Sequence, residues 1–232
     1  MENPQISSHS PQIKICGLTR IEEAVGCASL GADAIGFIFY AKSPRAVTVI
    51  QAQAISRALP DSVCRVGVFV DETFDVIMRT SATAGLQAVQ LHGTESSALV
   101  EEIAQEGLTV IKALFSHRDP LFSEARQYPA HAFLVECGEG PLPGGNARAW
   151  DVSLLKNFGK EFPLVLAGGL AGHNVMQAVA QCRPDAVDVS SGVEYEPGRK
   201  DLHKVKQFIA ATRNARTAKP NRRIFHVNHG SS

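Results

Sequence analysis

Hydrophobic positions in this chain form short, nearly continuous runs, separated by longer stretches in which apolar residues recur every three or four positions. The runs at residues 13–16, 34–39, 65–70, 88–91, 109–114, 132–136, 164–167 and 186–189 read as strands. Segments such as Ile21, Ala24, Val25, Ala28 and Leu30, or Val175, Ala178, Val179 and Cys182, carry the spacing of helices. Asp71-Glu72-Thr73 introduces a helix over 74–83, Ser97 and Ser153 stand near helix starts, and Gly31 and Gly85 stop helices before the next strand. Ala34-Ile35-Gly36-Phe37-Ile38-Phe39 is apolar at almost every position, as in a parallel sheet covered on both faces. Strand followed by helix, repeated around eight strands, predicts a single α/β domain, a (β/α)8 barrel over residues 12–212. An open doubly wound sheet shares the alternation but carries its glycine-rich loop after the first strand. Here that turn holds only Gly17, whereas the Gly/Ser turns follow strands seven and eight, where barrels bind phosphate.

Charge narrows the choice of partner. The 232 residues hold 23 Lys and Arg against 23 Asp and Glu, which favours a small molecule over nucleic acid or an acidic membrane. The cysteines, Cys16, Cys27, Cys64, Cys137 and Cys182, show neither metal-ligand spacing nor a disulfide framework and read as reduced thiols, so no metal is expected. The first residues lack the basic start and apolar core of a secretory signal, and no run has the length of a membrane span, which places the chain in the cytoplasm. Residues 1–11 read as a flexible segment. Residues 213–232, with Arg213, Arg216, Lys219, Arg222 and Arg223 and no carboxylate, read as a solvated, disordered tail separate from the fold. A barrel of this size is compatible with a monomer or a homodimer.

Residues at the C-terminal ends of barrel strands converge on one mouth. Cys16 ends strand one. A free cysteine is usually a small buried hydrophobe, but at this address a thiolate favoured by cationic or helix-terminal groups would serve as a general base. Strand alternation and depth are read as keeping Lys14 away from the pocket mouth. Glu136 ends strand six, either as a solvated carboxylate or, partly buried among apolar walls, as a general acid. Arg45, in Lys42-Ser43-Pro44-Arg45, is a surface arginine or a fork for a ligand carboxylate. His92 ends strand four without a paired ligand, which suits hydrogen bonding better than a metal. The turns Gly168-Gly169 and Ser190-Ser191-Gly192 either make tight strand-to-helix connections or present N–H groups and hydroxyls to a phosphate; their pairing on adjacent strands favours phosphate, hence a phosphorylated substrate.

Taken together, Lys14-Ile15-Cys16-Gly17-Leu18-Thr19, Gly36-Phe37 through Ser43-Pro44-Arg45, Val66-Gly67-Val68-Phe69, Gln90-Leu91-His92-Gly93, Ala167-Gly168-Gly169-Leu170 and Val187-Asp188-Val189-Ser190-Ser191-Gly192-Val193-Glu194 resemble the phosphoribosylanthranilate isomerases, in order and through most of the barrel. The resemblance implies a cofactor-free Amadori rearrangement in tryptophan biosynthesis, from N-(5-phosphoribosyl)anthranilate to 1-(2-carboxyphenylamino)-1-deoxyribulose 5-phosphate. It implies Cys16 as base, Arg45 for the anthranilate carboxylate, the two glycine turns for phosphate and Asp188 as a pocket-side carboxylate. The family typically has aspartate where this chain has Glu136, so the acid is kept but lengthened by one methylene. The loop Gly144-Gly145-Asn146-Ala147-Arg148-Ala149-Trp150-Asp151-Val152 also departs from the family's pattern. A binding homologue without efficient chemistry is the alternative that these departures motivate. The sugar-phosphate isomerase of histidine biosynthesis, whose family typically has aspartate at the position of Cys16, is a further one.

Overall fold

The computed structural model describes residues 9–137, 151–215 and 222–226. Eight parallel strands close into a barrel: β1 (Gln12–Cys16), β2 (Ala34–Ile38), β3 (Cys64–Phe69), β4 (Ala88–Leu91), β5 (Thr109–Phe115), β6 (Ala132–Glu136), β7 (Leu164–Leu166) and β8 (Ala186–Val189). The cylinder is sealed where β1 pairs with β8, Gln12 beside Ala186 and Ile15 beside Val189. The strands fall within two residues of the runs read from hydrophobicity, because a strand covered on both faces has almost no polar position at which to end early.

Helices α1 (Ile21–Ser29), α2 (Val49–Ala58), α3 (Phe74–Ala84) and α4 (Ser97–Gln105) fill the first four crossovers. Thr48 and Gln51 form a reciprocal capping box on α2, Ser96 caps α4, and α3 ends on Gly85 in the left-handed region. The strand-then-helix repeat is weaker after β5 and β6. Between β5 and β6 there is only a 3-10 turn, Phe122–Gln127, bounded by Pro120 and Pro129, each of which disfavours helix at the residue before it. After β6 come a 3-10 turn, Val152–Leu155, and the single-turn helix α5 (Phe158–Glu161). The departing loop 144–150 lies outside the described residues. Helix α6 (Val175–Cys182) follows β7; a small hairpin, β9 (Glu194–Glu196) with β10 (Arg199–Lys200), separates β8 from α7 (Leu202–Asn214). Among the described residues no helix is long and apolar enough to cross a membrane.

The two faces of the strands bury two cores. Ile13, Ile15, Ile35, Phe37, Val89 and Leu91 point outward against the helices. Inward, Ala34, Cys64, Ala88, Ala132 and Ala186 open β2, β3, β4, β6 and β8, so the N-terminal mouth is ringed by small side chains. Ile224 and Phe225 join that inner cluster, and both are buried. The Gln12 amide clamps them: its oxygen accepts from the N–H groups of Ile224 (2.7 Å) and Phe225 (2.9 Å), and its nitrogen donates to the Phe225 carbonyl (3.0 Å). Asp185 accepts from the Arg222 N–H at 2.8 Å.

The expectation of a solvated tail from 213 onward is therefore corrected for two stretches. Arg213 belongs to α7 and pairs with Asp33 at 2.8 Å, and residues 222–226 dock on the barrel floor, where two large apolar side chains fill space left by alanines. The flexible segment is likewise shorter than expected: Pro11 is buried, and its carbonyl accepts from Arg213. Phe225→Ala should destabilise the protein by about 3 kcal/mol or more, through lost burial and the cavity left behind. Its kcat should be unchanged, since the floor is the end of the barrel remote from the strand C-termini; thermal unfolding and steady-state rates check both.

Candidate active site

The C-terminal mouth begins with β1. Side chains two apart on a strand share a face, so Lys14 points inward with Cys16 while Ile13 and Ile15 point outward. This overturns the expectation that Lys14 stands apart from the pocket. Its ammonium is fully buried and donates to Asp188 Oδ1 and Gln90 Oε1, both at 3.0 Å. Gly36 on the neighbouring strand makes room: a Cβ there would lie 2.8 Å from Cys16 Sγ and 3.1 Å from Lys14 Cε. The thiol and the ammonium thus lie side by side over β2.

Burial pushes the Cys16 thiol up, and the positive charges of Lys14 and Lys200 oppose that shift, while Asp188 adds to it. Burial pushes Cys27 and Cys182 up to about 12, with Lys200 acting only partly against it at Cys27. Burial works against the Lys14 charge, but Asp188 and then Cys16 outweigh it and hold the ammonium protonated. At Cys16 two ammonium groups, Lys14 and Lys200, act against burial, which is what a thiolate base requires.

Glu136 closes β6 and is buried, as the general-acid reading needs. His92 Nε2 lies 3.2 Å from Glu136 Oε1, and His92 Nδ1 lies 2.7 Å from Gln90 Nε2. The ring stands edge-on to Phe115, whose other neighbour is the Arg118 guanidinium, 3.3 Å from the ring centroid. Burial lowers Arg118, with Glu136 the leading opposing charge. Gln90 and Arg118 were not anticipated. Gln90 could have been found by the two-residue step from His92, whereas nothing in the sequence marks Arg118.

Arg45 is buried rather than a surface arginine. Its Nε and Nη2 donate to the two oxygens of Glu194 at 2.9 and 2.8 Å. Lys200 Nζ donates to the same carboxylate at 2.7 Å and reaches the Ser190 carbonyl and hydroxyl at 3.3 and 3.4 Å. Burial alone would push Glu194 up, but Arg45 and Lys200 bring it below the usual carboxylate range. One carboxylate thus ties the arginine to the Ser190 turn. The three loops meet above β1, since a Cβ on Gly17 would lie 2.7 Å from Arg45 Cδ and 3.2 Å from Ser190 Oγ. In the sequence Glu194 stands only as the end of a motif, and nothing marks Lys200.

The glycine turns lie where the sequence puts them. Gly168 and Gly169 have φ of 87° and 65°, a run that L side chains rarely adopt, and Asn174 fastens the turn by donating to the Gly169 carbonyl and accepting from the Ala171 N–H. Gly192 packs so tightly that a Cβ would lie 1.9 Å from the Leu170 carbonyl oxygen. Glu136, Asp188, Gly168, Gly169 and the Ser190-Ser191-Gly192 turn line one cleft. Gly192→Ala must displace either turn and should raise KM at least about tenfold, the loss from a misplaced anchor, with the helices intact by circular dichroism. Among the described residues no group of His, Cys, Asp or Glu comes together as a metal site would need.

A family model described as N-(5'phosphoribosyl)anthranilate (PRA) isomerase matches residues 13–211. The chain belongs to the phosphoribosylanthranilate isomerase family. It is similar to the N-(5'-phosphoribosyl)anthranilate isomerase of Desulfatibacillum aliphaticivorans, 50% identical over 198 residues, 85% of this chain and 91% of the relative. The crystal structure of phosphoribosyl anthranilate isomerase from Thermotoga maritima superposes with a TM-score of 0.81 at 40% identity, over 88% of this chain and 99% of that one. A phosphoribosyl anthranilate isomerase in complex with reduced 1-(o-carboxyphenylamino)-1-deoxyribulose 5-phosphate superposes with a TM-score of 0.78 at 39% identity, covering 88% and 99%. The phosphoribosylanthranilate isomerase reaction of tryptophan biosynthesis is the activity of this chain. Residues 222–226, which floor the barrel, lie outside the family match.

Proposed function

We propose that Cys16 is the general base and Glu136 the general acid of this isomerase, that Arg45 receives the anthranilate carboxylate, and that the turns at Gly168-Gly169 and Ser190-Ser191-Gly192 hold the phosphate, with Asp188 and His92 in the pocket. The observation carrying this reading is the common mouth: a buried carboxyl ends β6, a thiol beside an ammonium ends β1, and two turns open to anions follow β7 and β8.

The chemistry fits that order. Glu136 gives its proton to the furanose ring oxygen as the C1–O bond breaks, and the anthranilate nitrogen supplies its lone pair to form the protonated Schiff base. The Cys16 thiolate takes the C2 proton, and the C–H electrons form the C1–C2 double bond as the C=N pair returns to nitrogen. The enolamine then gains a proton at C1 and loses one from the C2 hydroxyl. C1 is reduced and C2 oxidised within one molecule, so the sequence balances without an outside electron carrier.

Asp188 keeps Lys14 charged, while its own charge acts against the thiolate. Glu194 holds Arg45 by two of its donors, a pre-set fork for a planar carboxylate. We place the enzyme in the cytoplasm, acting on a small phosphorylated substrate, as a monomer or a homodimer; one structural relative is described as mutually generated monomers of the dimeric phosphoribosylanthranilate isomerase from Thermotoga maritima. The test is loss of anthranilate-type fluorescence when freshly generated N-(5'-phosphoribosyl)anthranilate meets the purified protein. Turnover that Glu136→Gln or Cys16→Ala leaves near normal would remove that residue from the mechanism. Tight product binding by wild-type protein without turnover would point to a binding homologue.

A further inference from the structure

Among the described residues, base and acid are joined by a buried line of polar side chains: Lys14, beside Cys16, then Gln90, His92 and Glu136. The direction of each bond in this line is forced. Lys14 Nζ can only donate, so the Gln90 oxygen faces it and the Gln90 nitrogen faces His92. That amide nitrogen can only donate, so His92 Nδ1 accepts and the neutral ring carries its proton on Nε2. His92 Nε2–H therefore points at Glu136 Oε1. With Oε1 occupied as an acceptor, Oε2 is the oxygen left to hold the transferable proton.

We infer that His92 is the positioning residue that makes a glutamate work at this acid position, with Gln90 and Lys14 locking its tautomer; this rests on the reading of Glu136 as the acid. Glutamate has one more rotatable bond than aspartate and reaches about 1.5 Å further, a displacement large enough to cost on the order of a hundredfold if left unguided. The His92 bond selects one carboxyl orientation among those the longer arm allows. An aspartate at the same strand end would draw its carboxyl back from the imidazole, and His92 would matter less.

The decisive experiment is steady-state turnover by the full chain carrying His92→Leu or His92→Gln, each alone and combined with Glu136→Asp, with Glu136→Gln as control. His92→Leu alone is expected to lower kcat by about 30-fold or more with KM changed less than about threefold, and His92→Gln, which keeps an N–H donor near Nε2, to restore most of that loss. In the Glu136→Asp background His92→Leu should cost less than about threefold, because the shortened arm no longer depends on the bond. Equal losses in the two backgrounds, or an unchanged kcat in His92→Leu, would overturn the inference. If His92→Leu does not fold, Gln90→Met probes the line from its other end: a fall in kcat of about tenfold at constant KM supports it, and an unchanged kcat overturns it. Retained activity in Glu136→Gln would withdraw the acid assignment itself. Loss there with full activity in His92→Leu overturns only the role of His92.

Discussion

Cys16→Ala is expected to leave no more than about one-thousandth of wild-type turnover, the upper part of the range for removing a general base. The fold should survive, because alanine keeps a small apolar side chain over Gly36 and leaves the Lys14 pairs with Asp188 and Gln90 in place. The pH dependence follows from the direction of the Cys16 shift. Burial raises this thiol, so in the free enzyme near neutrality the active thiolate is the minor form, and the Cys16-dependent limb of the kcat/KM profile should rise with pH. Lys14 favours the thiolate, so Lys14→Met should move this limb to still higher pH. A Cys16→Ala protein with near-normal rates would exclude the thiolate as base.

Glu136→Gln is the second large effect. Gln keeps the shape and can still accept from His92, but has no acidic proton to give to the ring oxygen, so kcat should fall by about two to four orders of magnitude with little change in KM. Glu136→Asp restores a transferable proton and should exceed the Gln form by at least tenfold, although its carboxyl is withdrawn by roughly one methylene. Rates of the three proteins on the same substrate preparation, with melting temperatures as a control on folding, separate a missing proton from a displaced one. Equal rates in the Gln and wild-type forms would place the acid elsewhere.

The barrel was legible because its signal is local and repeated. Every strand is buried on both sides, so eight apolar runs and the helical spacing between them carry the architecture, and position at a strand end carries Cys16, His92 and Glu136 into one mouth. The two glycine turns were legible for the same reason, since their place after β7 and β8 needs no knowledge of side-chain contacts. The 3-10 turn that replaces a helix between β5 and β6 was harder to see, because a few apolar residues bounded by prolines are compatible with either an α turn or a 3-10 turn.

Tertiary structure decided the partnerships. Whether Lys14 helps Cys16 depends on an ammonium finding Asp188, 174 residues away, and on a glycine in the next strand that leaves room for both side chains. Arg45 acquires its orientation from Glu194, 149 residues on, and Glu136 its orientation from His92, 44 residues back. Ile224 and Phe225 look in sequence like stray apolar residues in a basic tail; they become a floor because alanines open several of the strands and leave a cavity that only the closed barrel creates. Periodicity reports which face of an element is buried, so the sequence by itself determined the barrel and the mouth. Which charges neutralise one another across that mouth is set by distances that exist only once β1 meets β8, and these the folded chain alone decided.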